Sequence, residues 1–199
     1  MNTDKIPAIV KDIFGILTFV VLVVVGVFFI NSFVFRSFNV EGPSMEKTMF
    51  TGDKLIVNKV PSTFAHIQGK EYQPERGQVI VFKNPEYSLK FANKEEYIVK
   101  RVVGLPGETV YVLNGKVSVV NNSHPNGFDP DKITKDKEGS PTSGNVISKV
   151  PEGEVFVMGD HRQGNFSLDS RSGLGTIPFQ DIVGPVSLRL FPFQDFRFF

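Results

Sequence analysis

The chain has 199 residues and a mass of 22.2 kDa, room for one ordinary domain with an appendage but not for two full-sized domains. Lysine and arginine number 22 against 21 acidic residues, so a net charge of +1 lacks the basic excess of a nucleic-acid binder. There is no cysteine, which excludes disulfides, a thiol nucleophile, iron–sulfur clusters and cysteine-ligated zinc.

Residues 13–35, IFGILTFVVLVVVGVFFINSFVF, carry no charge between Asp12 and Arg36. A hydrocarbon core ~30 Å thick needs about 20 helical residues, so this run can span it with some tilt. Its valines and isoleucines favour strand in water, but in lipid a single segment must satisfy its own backbone and becomes helix. A cleavable signal peptide would have a shorter apolar core followed by small residues. Here NSFVFRSFNVEG follows, so the segment reads as an uncleaved anchor between a short arm (1–12) and the main domain (36–199). Lys5 and Lys11 precede the span while Arg36, Lys47 and Lys54 follow it, so charge alone does not orient it.

Beyond the span come short β-branched and aromatic runs bounded by Gly, Pro and Asn: 37–41, 54–59, 78–83, 96–103, 108–113, 116–120, 154–158 and 182–190. Asn114-Gly115 between two of them is a hairpin signal. No long helical periodicity appears after residue 36. The expected fold is mainly β: an N-terminal transmembrane helix, then an antiparallel sheet or barrel-like domain. Residues 121–149 are polar and rich in Asn, Gly, Pro, Ser and Lys, and read as an insertion or flexible excursion.

Three stretches carry chemistry. In EGPSMEKTMFTGD (41–53), Gly42 permits close backbone approach, Pro43 fixes the chain, and Ser44 sits on a rigid perch with its N–H free to point at a ligand. Taken alone, it reads better as a plain turn. In EYIVKRVVGLPGE (96–108), strand alternation puts Lys100 on a face with Ile98 and Val102, and Arg101 on the other with Val99 and Val103. Burial there would lower the amine from ~10.4 toward ~8, a shift worth ~3 kcal/mol, and a neutral lysine is a general base. A snorkelling lysine on an edge strand is the plainer alternative. In MGDHRQGNFSLDSRSGLG (158–175), Asp160, Arg162, Asp169 and Arg171 accompany Ser167 and Ser170, a composition suited to a hydrogen-bonded platform or to a solvated loop.

Together, Ser44-Met45, the run Gly52 to Lys59, Lys100 to Gly107, and Gly159-Asp160 with Ser167-x-Asp169-Ser170-Arg171 resemble, in order, the sequence boxes of bacterial type I signal peptidases. The single-span form resembles the Gram-positive members, and the likeness covers essentially residues 13–192. It implies a Ser/Lys dyad protease with Ser44 as nucleophile and Lys100 as general base. Ser167 would hydrogen-bond and orient the lysine, while Asp160, Asp169 and Arg171 would hold the platform. The Ser44 backbone N–H would be one oxyanion donor. Gly42 stands where some members add a serine hydroxyl, which leaves a second donor unidentified. Phe38, Val40, Met49 and Val99 would line shallow apolar pockets. The substrates implied are exported preproteins with signal peptides, and the partners are the lipid bilayer and the Sec translocon. No cofactor, metal or nucleic acid is implied. Because such substrates are cut after translocation, the N-terminus would be cytoplasmic and the catalytic domain extracytoplasmic.

This sequence departs from the family pattern at three points. Lys47 replaces the usual proline after Ser-Met-x, and His161 replaces the usual asparagine after Gly-Asp. A spacer about two residues longer, QGNF, precedes Ser167 and leaves the position of its hydroxyl open. Rival readings are weaker. A triad through His161 would need a carboxylate other than its neighbour Asp160, since adjacent residues of an extended chain point oppositely. His66 and His124 lie in polar loops, and three scattered histidines make no zinc site. A tethered non-catalytic binding domain would not require Ser44 and Lys100 with their flanking boxes. A repressor-type protease would carry a DNA-binding domain where this chain has a span. The terminal FPFQDFRFF holds five of the 20 phenylalanines. Phe191 and Phe193 could pack into the core from a final strand. Phe196, Phe198 and Phe199 are harder to bury and could meet the lipid interface, with Arg197 reaching the headgroups.

Overall fold

The computed structural model describes residues 8–84, 95–132 and 141–199. Helix α1 runs Ala8–Phe29 and continues as a π-helical turn, Ile30–Val34. Within it, Val10–Val34 is long and apolar enough to cross a membrane, with mean hydropathy 3.1 over its most apolar stretch, none of which is buried inside the protein. Phe35, the last residue of the expected span, instead opens the first strand.

The strands are β1 (Phe35–Asn39), β2 (Lys54–Asn58), β3 (Val79–Lys83), β4 (Tyr97–Gly104), β5 (Thr109–Leu113), β6 (Lys116–Asn121), β7 (His124–Phe128), β8 (Val146–Lys149), β9 (Glu154–Met158), β10 (Ile177–Pro178), β11 (Ile182–Phe191) and β12 (Arg197–Phe198). A short helix, α2 (Val60–Ile67), follows β2. One eight-stranded sheet has the order β1-β2-β11-β3-β4-β9-β10, with β12 on β11; a second has the order β7-β6-β5-β8. Every described pairing is antiparallel. The fold is thus mainly β behind one apolar helix.

The cores follow from side-chain alternation. In β3, Ile80 and Phe82 face a cluster with Val102, Val155 and Val157, whereas Val79 and Val81 face Val40, Met45, Met49, Leu55 and Val57. A sheet with apolar residues on both faces needs cover on both. A third cluster, including Val103, Val110, Val112, Val119, Phe156 and Met158, joins the two sheets. Asn114 and Gly115 both have positive φ, 51° and 80°, and join β5 to β6 as the sequence suggests.

Three features differ from expectation. Residues 60–67 form a helix, too short for periodicity to reveal. Residues 121–149 are not merely an excursion: β7 and β8 flank the second sheet, and Asp131 is buried against Arg162 at 2.6 Å. Residues 133–140 of that stretch lie outside the described residues. Finally, Phe191 and Phe193 do not enter the core; they are 48% and 74% exposed and meet each other edge to face. Register shifts in β11 at Val186/Leu188 and Arg189/Phe191 change which positions point inward. Arg189 takes the inward place and pairs with Asp53 at 3.0 Å.

Candidate active site

β1 delivers the chain into a tight turn at residues 42–49. Val40 is held by backbone bonds to Asp53 and Gly52, and Gly42 has φ of +83°. Glu46 N–H donates to Pro43 O (3.0 Å) and Met49 N–H to Met45 O (2.9 Å), while the Met45 and Met49 side chains are fully buried beneath. Two buried thioethers therefore peg the turn, and Ser44 stands on top, half-buried. Among the described residues no acceptor takes the Ser44 N–H, whereas Ser44 O accepts from His161 N–H at 3.0 Å.

Lys100 projects from β4 and is 3% exposed. Its Nζ lies 2.8 Å from Ser44 Oγ and 2.8 Å from Val99 O. Burial lowers its pKa to about 8, against an opposing pull from Asp169 and Asp160; Arg171 assists the lowering. An amine near 8 is partly neutral at physiological pH and can take a proton from a hydroxyl in contact with it.

The surrounding platform is ionic. Asp160 receives Arg101 in a two-pronged contact, Nε to Oδ1 at 2.9 Å and Nη2 to Oδ2 at 2.6 Å, and also the Thr48 hydroxyl at 2.6 Å. Asp169 receives Arg171 Nη2 (2.7 Å), the Gly159 N–H (2.9 Å) and the Ser167 hydroxyl (2.7 Å). Burial would push Asp169 up, yet the bonds from Arg171, Ser167 and Gly159 hold it below the usual carboxylate range. Gly159 is packed so closely that a Cβ there would sit 2.2 Å from Ser167 Oγ and 2.4 Å from Ser44 O. Only glycine lets this strand end meet the serine turn.

The residues singled out by sequence thus gather in one place, with two differences. The Ser167 hydroxyl donates to Asp169 and makes no bond to Lys100. Asp169, two residues along the chain, is a charged acceptor and takes the hydroxyl. Met49 is wholly buried in the cluster below the cleft and does not line it; Phe38, Val40, Gly42 and Val99 do. His161 does not engage Ser44 Oγ. Its Nδ1 lies 3.2 Å from Pro43 O, and Asp160 is taken up by Arg101 and Thr48. Sequence reasoning assigned no role to Arg101, although its apolar flanks on β4 already marked an inward position. It gave no signal for Thr48, or for Phe166 and Leu168 at the cleft.

The cleft has a volume of about 520 Å3 and runs between residues 38–44 and the free edge of β4. Val102 N–H donates to Gln78 O and Glu96 O accepts from Asn84 N–H, so even-numbered residues of this strand bond toward β3. Tyr97 and Val99 therefore direct their backbone groups the other way. β9 pairs with β4 only from Arg101 onward, which leaves that stretch open to the cleft.

Residues 13–191 match the family described as signal peptidase, peptidase S26. The chain belongs to that family. It is 33% identical over 184 residues to signal peptidase I P of Bacillus subtilis subsp. natto, covering 89% of each chain. It is 31% identical over 203 residues to a signal peptidase I of Bacillus licheniformis, covering 99% of this chain and 98% of the relative. With signal peptidase I V of Bacillus subtilis (strain 168) the identity is 35% over 193 residues, covering 89% of this chain and 98% of the relative. A solved signal peptidase I from Enterococcus faecalis V583 superposes with a TM-score of 0.41 at 25% identity, covering 57% of this chain and 96% of that one.

As a signal peptidase the chain is a serine hydrolase that cleaves signal peptides from preproteins, and its one N-terminal apolar helix fits a single membrane span. A non-catalytic tethered domain is not favoured. Lys47 has φ of +82°, a conformation closed to proline, so the turn after Ser44 as wound here does not admit proline at that place.

Proposed function

We propose that this signal peptidase works through a Ser44/Lys100 dyad. The observation that carries the reading is the 2.8 Å contact between Ser44 Oγ and the amine of a lysine depressed by burial to about 8. Neutral Lys100 takes the Ser44 proton as Oγ attacks the scissile carbonyl carbon. The carbonyl oxygen becomes an oxyanion, and the Ser44 N–H, which no acceptor takes among the described residues, donates to it. Collapse breaks the C–N bond. Protonated Lys100 returns the proton to the leaving amine, and the signal peptide stays as an ester on Ser44. Water, deprotonated by Lys100, then hydrolyses the ester and frees the serine.

The substrate binds as an added strand along the free edge of Tyr97–Val99, where backbone groups point into the cleft. Phe38, Val40 and Val99 bound pockets for small side chains before the cut. Asp160, Asp169 and Arg171 keep the platform rigid, while Ser167 acts on Lys100 only through Asp169. The catalytic domain lies outside the cytoplasm with the N-terminal arm inside, because substrates reach it after crossing. The bilayer holds the span, and the translocon delivers the substrate.

A cleavage assay on a signal-peptide substrate tests the dyad. Ser44→Ala and Lys100→Ala each abolish cleavage, and the double variant is no worse than either single one. Substantial activity in Lys100→Ala, lost instead in His161→Ala, would replace the dyad with a triad.

A further inference from the structure

The cleft has two distinct ends. β1 leaves the end of the span and carries Phe38 into the cleft wall, and there Arg36 donates to Tyr97 Oη at 2.9 Å and lies over both the Phe38 and Tyr97 rings. This end faces the span. At the other end stand Ser44 and Lys100, and the lining residues Phe166 and Leu168 belong to that end, because the Phe166 ring stacks on His161, whose N–H donates to Ser44 O. In a signal peptide the apolar core precedes the cut. The part before the cut therefore lies at the span end, and the released chain leaves past Phe166 and Leu168.

These two side chains are not incidental. Ser167 and Asp169 point inward and are buried, so the alternation turns Phe166 and Leu168 outward together, at 57% and 52% exposure. Phe166 is also held in place. Its ring stacks on His161 at 4.7 Å and 28°. His161 is fixed in turn by its N–H to Ser44 O, and its Nδ1 lies near Pro43 O and 3.5 Å from Glu46. Gly164, with φ of +62°, also lies close to the ring: an added Cβ there would come within 3.0 Å of it. Gly164 N–H is tied to Ser143 Oγ at 2.8 Å. Gly164 and Phe166 both belong to the lengthened QGNF spacer. An exposed aromatic ring stacked on a fixed histidine, beside the reacting groups, is preorganised for contact.

We propose that Phe166 and Leu168 form a specificity subsite for an apolar side chain within the first two residues of the released chain. The proposal rests on the dyad reading, because that reading locates the cut. Glu46 near His161 adds repulsion against an acidic residue there.

The test uses full-length enzyme in detergent micelles. Preprotein substrates are identical up to the cut and carry Ala, Leu, Phe or Asp at the first or the second released residue. For wild type, kcat/KM at the favoured position is expected to be about tenfold higher for Leu or Phe than for Asp, the low end for an apolar contact in a pocket. In Phe166→Ala/Leu168→Ala that ratio falls to about one. Phe166→Arg, which leaves an exposed position filled, raises Asp relative to Leu. A simple packing role would lower all rates together and leave the ratios unmoved. A flat wild-type profile at both positions, or ratios unchanged in both variants, overturns the subsite. Cleavage by Ser44→Ala would instead overturn the dyad, and the subsite with it.

Discussion

Lys100 carries a stability cost that should be measurable. Burial lowers its amine from 10.5 to about 8 in the folded protein. Below pH 8 the amine is protonated in both folded and unfolded states, and the folded state bears the full cost of a buried ammonium. Between pH 8 and 10.5 only the unfolded state stays protonated, so stability rises with pH; above 10.5 the amine is neutral in both. The interval corresponds to about 3 kcal/mol. Methionine approximates lysine in length without the charge, so Lys100→Met should stabilise the full-length enzyme at pH 7 by up to about 3 kcal/mol. For a chain of this size that is roughly 6–12 °C in Tm. Scanning calorimetry in detergent micelles, on wild type and variant from pH 7 to 10.5, should show the gap closing as pH rises. Over the same range wild-type activity should climb. Roughly a tenth of the amine is neutral at pH 7 and most of it by pH 9, a gain of about tenfold. The reasoning fails if Lys100→Met melts no higher than wild type at pH 7, or if the gap does not narrow with pH. An activity profile governed by a group near 6–7 would also count against Lys100.

Three further outcomes can be checked. Arg101→Met removes the guanidinium that holds the buried Asp160 carboxylate in a two-pronged contact, so denaturant unfolding should show a loss of about 3–5 kcal/mol; a loss below 1 would mean that water enters the pair. At the left-handed Lys47, glycine should stabilise by roughly 1 kcal/mol, while Lys47→Pro should destabilise; a neutral proline variant would refute the turn geometry. All five terminal phenylalanines keep at least a third of their surface exposed, and Arg197 lies over Phe199. If they rest in the lipid interface, removing residues 196–199 should slow cleavage of membrane-embedded preprotein and leave a short soluble peptide nearly unaffected; equal slowing of both would mean that the tail is packing.

Local pattern was sufficient wherever one property repeats along the chain. The uncharged run before Arg36 could only be a helix that exposes apolar side chains, because no element in so small a β domain could cover it. The eight β-rich runs all became strands, since alternation and β-branching act on the segment itself. Alternation on β4 likewise marked Lys100 and Arg101 as inward residues on opposite faces. It could not say what each would meet. Ser44 and Lys100 are 56 positions apart, and their 2.8 Å contact depends on β3 and β4 pairing in one register and on Met45 and Met49 pegging the turn. β7 and β8 were too short for alternation to be read: each is paired to β6 or β5 and sets one apolar residue, Phe128 or Val146, against the core. Met49 turned inward to the cluster with Leu55 and Val57, and the Ser167 hydroxyl went to the carboxylate two residues along rather than to Lys100. Periodicity is a property of a segment, so the sequence alone determined the elements and the inward residues. Partner choice is a property of the surfaces that those segments bring together, and only the tertiary structure decided it.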